Sequence, residues 1–191
     1  MEEARTGREK QVYDERNIRQ VAGCVPVNSK TGQILLVSSR KHDDQWILPK
    51  GGWEIDETKE EAAARETYEE AGLRGQITRY LGTWDYHKAE RKNGIPAHRR
   101  PPTCFWLYEM EVEELLERWP EMEERVRKWF PYEDAIAALA SKPFMQEAIR
   151  RSSLAVPVAP MPDVAAARHQ VRLRRERPAW IRFGLQLLRV V

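Results

Sequence analysis

Glu66, Glu69 and Glu70 stand in a run of strong helix formers, at separations of three and four residues that put the three carboxylates on one helical face. Each like-charge pair at that spacing costs about 0.2–0.5 kcal/mol on an exposed helix, and more where it is partly buried. The crowding is tolerable when a cation lies among the carboxylates, and a hard divalent ion with oxygen ligands, Mg2+ or Mn2+, is the natural occupant. A glutamate-rich helix is by itself only a solvated face. The flank changes the reading: Gly51-Gly52 sits between a predicted strand and this helix, where backbone lacking a Cβ approaches a ligand closely and offers carbonyl and amide groups. Carboxylates with a cation among them suit phosphoanhydride cleavage, in which dense negative charge must be bridged and the attacking water deprotonated.

The elements that position these groups follow from local pattern. Residues 58–71 are predicted as the most secure helix, opened by Thr58-x-x-Glu61, a capping box, and stopped by Gly72. Residues 21–27, 33–39 and 46–48 are short, rich in bulky or β-branched residues and bounded by turns at 29–32 and at His42-Asp43-Asp44, so they read as strands. Residues 76–86 and 103–112 resemble longer strands, and 132–140 with 144–151 look like helices. Mixed strands and helices predict an α/β layer architecture. The acidic stretch from Glu109 to Glu124 reads as a solvated face, unless Glu123 or Glu124 adds a base or ligand.

Residues 51–73 match the pattern G-x5-E-x7-R-E-U-x-E-E-x-G-U, with U a bulky aliphatic residue: Gly51, Glu57, Arg65, Glu66, Glu69, Glu70, Gly72 and Leu73 fall in place. The segment resembles the Nudix box. Its one departure is Thr67 at an aliphatic position, where a methyl is still presented to the core. The resemblance implies the Nudix fold, a mixed β-sheet sandwiched between α-helices. It also implies a metal-dependent pyrophosphohydrolase in which Glu66 and Glu70 are the principal Mg2+ or Mn2+ ligands with the Gly51 carbonyl as a third. Glu69 is then a further ligand or the base that activates water, Arg65 pairs with Glu57 to brace the loop and helix, and Gly52 and Gly72 are structural.

Beyond the box, Gly7 to Asp14, Val21 to Pro26, Leu35 to His42, Trp46 to Gly52 and Trp129 to Ala135 look like the diphosphoinositol polyphosphate phosphohydrolase subgroup, particularly its fungal members, which also cleave diadenosine polyphosphates. The likeness covers residues 5–152. It implies substrate contacts from Arg8, Lys10, Arg19, Ser39, Lys41 and Lys50. Charge points the same way, because the bases of this otherwise acidic domain gather in runs that include Arg5, Arg8 and Lys10, Arg40-Lys41-His42, Arg91-Lys92 with His98-Arg99-Arg100, and Arg125, Arg127 and Lys128, and arginine suits bidentate phosphate contacts. The insertion at 88–102 is either a loop that folds over substrate or a solvated excursion. Inorganic polyphosphate is a further substrate on this reading. The rivals are an mRNA cap hydrolase, since basic grooves also suit RNA, a nucleoside-diphosphate-sugar pyrophosphatase, and a non-catalytic phosphate-ligand sensor on the same fold.

The 191 residues carry 32 Lys+Arg against 30 Asp+Glu, for a formal charge of +2, and this length suits one domain with modest tails. Residues 164–191 contain seven arginines and one acid, so they hold +6 and leave the rest at −4. They follow a stretch of alternating prolines at 157–162, which stops helices. The division expected is a basic arm over 1–18 that belongs to the domain, a hydrolase domain over 19–153, and a Pro-rich then Arg-rich tail over 154–191. No apolar run approaches the ~18–20 residues that span a bilayer and the first residues lack signal-peptide order. The expectation is a cytoplasmic monomer, with the nucleus as a second compartment. Cys24 and Cys104 lack the spacing of a zinc cluster or a disulfide scaffold and read as small buried strand residues. A Gly-x-x-x-x-Gly-Lys-Ser/Thr loop and a Gly-x-Ser-x-Gly elbow are both missing from the sequence, which argues against a Walker-type motor and a serine hydrolase.

Overall fold

A computed structural model describes residues 4–5, 7–86 and 102–155. Along them run β1 (Arg19–Asn28), β2 (Gln33–Ser39), β3 (His42–Ile47), β4 (Lys50–Gly52), α1 (Lys59–Ala71), β5 (Leu73–Tyr86), β6 (Thr103–Leu115), β7 (Arg127–Pro131), α2 (Tyr132–Ala138) and α3 (Pro143–Arg150). The strands form one mixed sheet in the order β3-β2-β1-β6-β5, with β4 on β1 and β7 on β2. The β1–β6 pair is parallel and the other pairs are antiparallel.

Strand alternation decides which helix each face meets. On β1, Val25 and Val27 join Ile34, Leu36, Leu107 and the α2 and α3 residues Ala135, Met145, Ala148 and Ile149 in one core. The alternate residues Ala22 and Cys24 meet Ala62 and Ala63 of α1, with Tyr108 and Met110 of β6, in another. Leu35 and Val37 of β2 pack with Ala71 and Leu73 at the far end of α1. The result is the expected sandwich, helices on both faces of a mixed sheet. Both cysteines are free and buried, and burial pushes the Cys24 thiol up to about 12.

Helix α1 begins and ends where its caps dictate. Thr58 and Glu61 form the reciprocal capping box, and Gly72 closes the helix in the left-handed region at φ 63°, where glycine avoids the Cβ penalty. Thr67 is fully buried and its hydroxyl donates to the Ala63 carbonyl at 2.7 Å, so the polar group at an aliphatic position is satisfied within the helix. Arg127 supplies the acceptors' partner at the C-terminus: it donates to the carbonyls of Ala71 at 2.7 Å and Gly72 at 3.3 Å and lies 3.9 Å from the Trp119 ring. Those carbonyls carry the negative end of the helix dipole. Arg127→Ala is expected to cost about 2–3 kcal/mol, the sum of lost charge-assisted hydrogen bonds and a cation–π contact. Urea denaturation measures it, and a loss below about 0.5 kcal/mol would show that this clamp does not hold the helix end.

Three local expectations are corrected. The turn expected at His42-Asp43-Asp44 is instead at Arg40-Lys41, because Ser39 pairs with His42 and an irregularity between Ser38 and Ser39 shifts the register. Strand β5 starts at Leu73, directly after Gly72, because Leu73 pairs with Leu115 and β6 runs longer than its apolar stretch. The acidic stretch is only partly solvated. Glu109 is 3% exposed and accepts from the Thr78 hydroxyl at 2.9 Å and from the Ser153 amide, since alternation turns it to the same face as Leu107. Leu154 packs against the main core, and the compact unit holding the sheet runs through Ala155. The insertion cations at 91, 92 and 98–100, and the tail from 156, lie outside the described residues.

Candidate active site

The carboxylate helix meets the Gly51-Gly52 strand through Arg65. Its guanidinium takes Glu57 bidentately, at 2.9 and 2.7 Å, and donates to the Gly52 carbonyl at 2.8 Å, to Glu66 at 3.0 Å and to Glu69 at 3.2 Å. One side chain thus ties β4, the β4–α1 loop and two of the three helix glutamates together. Glu57 in turn accepts from the Glu54 amide at 3.0 Å. At Gly51 the backbone lies against the Glu66 carboxylate so closely that an added Cβ would fall within it.

Glu70, one turn beyond Glu66, has different partners. It accepts from the Lys50 amide at 2.9 Å and from the buried guanidinium of Arg125. Arg125 is held by Glu121 at 2.6 Å and by the Ser38 carbonyl at 2.8 Å. Burial, followed by repulsion from Glu70, pushes the Glu66 carboxyl up to about 8. Burial also raises Glu69 and Glu70, while it lowers the Lys50 ammonium. Among the described residues, no three Asp, Glu, His or Cys side chains stand ready-made as a metal site, and Arg65 and Arg125 hold these carboxylates in ion pairs. The donors nevertheless suit a hard divalent ion: they are oxygens only, and the cost of burying Glu66 and Glu70 as anions is what a cation relieves.

A cleft of about 630 Å3 opens beside Glu70. Among the described residues it is lined by seven cations, Arg8, Arg19, Arg40, Lys41, Lys50, Arg125 and Lys142, and by one acid, Glu70. Ser39 lines it as well, so five of the six expected substrate contacts gather here. Lys10 does not, and its ammonium lies 3.8 Å from Asp56. Neither Glu66 nor Glu69 lines the cleft. Apolar residues line it too: Phe105 and Phe144, stacked at 4.6 Å, with Ile47 and Met145. Sequence reading missed Lys142 and these two rings; one lysine before Pro143 and two isolated phenylalanines carry no local signal. Arg125 was visible as a base, and its i,i+4 relation to Glu121 was the only hint that it is held in place.

Comparison with known proteins gives the family and the fold. The NUDIX domain model matches residues 17–152. The chain is 42% identical over 151 residues to Nudix hydrolase 21, chloroplastic, from Arabidopsis thaliana, covering 76% of this chain and 72% of that one. It is 40% identical over 159 residues to Nudix hydrolase 16, mitochondrial, from the same plant, covering 76% and 85%. It is 38% identical over 146 residues to human diphosphoinositol polyphosphate phosphohydrolase 3-alpha, covering 74% and 82%. A NUDIX hydrolase from Nitrosomonas europaea shares the fold, with a TM-score of 0.57 at 17% identity over 70% of this chain and 87% of that one. With the box residues gathered on one helix and loop, and relatives of this identity spanning most of their own length, the chain belongs to the NUDIX family of hydrolases.

Proposed function

We propose that this hydrolase cleaves phosphoanhydride bonds of diphosphoinositol polyphosphates, with diadenosine penta- and hexaphosphate and inorganic polyphosphate as further substrates. The observation that carries the reading is the cleft beside the carboxylate helix, where among the described residues seven cations gather, two of them, Arg40 and Arg125, in ion pairs with Glu121, Glu124 and Glu70. A substrate with only two phosphates has no use for so many positive groups, whereas one crowded with phosphates does. The name of the human relative supports the same substrate class. The stacked Phe105–Phe144 wall favours including the dinucleotides, because a base offers a flat apolar face to it.

Glu66, Glu70 and the Gly51 carbonyl are the groups we assign to hold Mg2+ or Mn2+, with Glu69 as a further ligand or as the base that takes a proton from water. Bound there, the ion supplies charge neutralisation at the pyrophosphate oxygens and a lower pKa for water. The chain's own part is to orient the chain of phosphates through Arg19, Lys41 and Lys50, with Arg8 and Ser39 at the cleft wall, and to hold the carboxylates through Arg65.

The test is a kcat/KM series at fixed Mg2+ with a diphosphoinositol polyphosphate, diadenosine hexaphosphate, inorganic polyphosphate, a nucleotide sugar and capped RNA. Preference for the nucleotide sugar or the cap would replace this reading, and binding with no turnover of any would favour a sensor. Within the series, Lys41→Ala and Arg19→Ala are expected to raise KM for the diphosphoinositol substrate about tenfold or more, since each removes a charge-assisted contact worth roughly 1.5–3 kcal/mol when well aligned. The effect should shrink in high salt, with kcat within a small factor. Equal, small losses on the inositol and nucleotide-sugar substrates would sink the polyphosphate assignment.

A further inference from the structure

The basic arm before β1 does more than add charge. Its Val12 amide donates to the Trp53 carbonyl at 2.8 Å and its Lys10 carbonyl accepts from the Ile55 amide at 2.9 Å, so the arm lies along the loop between β4 and α1. Gln11 bridges to Glu54 in the same antiparallel sense. At its outer end the Arg5 guanidinium reaches Glu54 at 2.8 Å and Asp56 at 3.0 Å, with Glu57 at 3.9 Å. Glu54 is 7% exposed, so this end of the anchor is set into the surface, while the Arg5 and Asp56 side chains are 40% and 46% exposed. From there the Arg5 backbone amide donates to Glu69 Oε1 at 3.2 Å. The other oxygen, Oε2, accepts from Arg65 at 3.2 Å. A carboxylate held at one oxygen can still turn about its terminal torsion, which is broad and twofold. Held at both oxygens, from two different segments, its plane is set.

We propose that Arg5 is a positioning residue for Glu69: its side chain pins the arm to Glu54 and Asp56, and its amide then orients the Glu69 carboxylate for the hydrolysis. This rests on the functional reading above, in which Glu69 is a metal ligand or base. Arg5 does not line the phosphate cleft, so it acts through Glu69 and not on the substrate. Misplacing a reacting group by about 1 Å can cost up to a hundredfold in rate.

Two measurements on the full chain test it. In the first, kinetics on diadenosine hexaphosphate and a diphosphoinositol polyphosphate at fixed Mg2+ compare Arg5→Ala, Arg5→Lys and Glu54→Gln. Arg5→Ala should lower kcat about tenfold or more with KM within twofold. Arg5→Lys, which keeps the cation and the amide, should recover most of it, and Glu54→Gln should reproduce part of the loss through the anchor. An unchanged kcat in Arg5→Ala overturns the proposal, as does a KM that rises in proportion, which would make Arg5 a substrate contact. In the second, NMR hydrogen exchange follows the Arg5 amide, which should be protected in the wild type and in Glu66→Gln and lose protection in Glu69→Ala, which removes the acceptor. Protection that ignores Glu69 removes the contact on which the idea stands. No hydrolysis of either substrate by the wild type, with this exchange pattern intact, would instead refute the functional reading while leaving the latch in place.

Discussion

Glu66→Gln and Glu70→Gln are each expected to lower hydrolysis about a thousandfold or more. Each removes a negative oxygen ligand from a site assigned to divalent cations, and the charge stabilisation such ions supply is worth several kcal/mol, with every 1.36 kcal/mol a factor of ten. Stability separates the two variants. Glu66 is raised from 4.5 to about 8 in the folded chain, first by burial and then by Glu70. Its contribution to stability is therefore fully present below about pH 4.5 and is lost as pH rises through about 8. Glutamine is neutral throughout, so in excess chelator Glu66→Gln should melt close to wild type at pH 5 and higher than wild type above pH 8. Glu70→Gln should not gain in this way, because it takes the carboxylate away from the buried Arg125. Arg125 keeps Glu121 and the Ser38 carbonyl, so the loss should stay at roughly 1–3 kcal/mol. Calorimetric melts across pH 5–9, with kcat in Mg2+, check both. Near wild-type turnover by either variant would remove the assignment, and a pH-independent Tm difference for Glu66→Gln would remove the electrostatic account.

Gly51→Ala should damage catalysis with little effect on stability, and Gly23→Ala should do the reverse. The methyl added at Gly51 meets the end of the Glu66 side chain, which can swing away because it is flexible. Folding is then spared while a proposed ligand is displaced, at a cost of about a hundredfold in kcat. The methyl added at Gly23 meets Lys50 Cα at 2.8 Å and the Pro49 carbonyl at 2.5 Å. Here the neighbours are backbone of the paired strand, where Gly23 lies opposite Lys50, and strands β1 and β4 must part. Overpacking of this kind costs about 1–3 kcal/mol and occasionally more. Urea midpoints and kcat for both variants decide the matter: a Gly51→Ala protein with wild-type kcat would mean that Glu66 is not held in place by this close approach.

Sequence alone determined what local interactions determine. The bounds of α1 follow from Thr58, Glu61 and Gly72, whose partners lie within one turn. The common face of Glu66, Glu69 and Glu70 follows from the helical repeat, and the α/β class from the change of period along the chain. The box spacing carried the family because its residues span only 23 positions. Tertiary structure decided every contact made between distant segments. Arg125 reaches Glu70 across 55 residues and the Arg5 amide reaches Glu69 across 64, separations at which no periodicity constrains who meets whom. Lys142 and Phe144 enter the cleft because α3 packs on the face that the odd residues of β1 present. Glu109, which reads as one more surface acid, is buried because strand alternation sets it beside Leu107 under the turn that follows α3. Caps and helical faces are settled by neighbours a few residues away, whereas the turn at Arg40-Lys41 and the ion pairs between distant segments exist only after strand pairing in the order β3-β2-β1-β6-β5 has brought the loops and helix ends together.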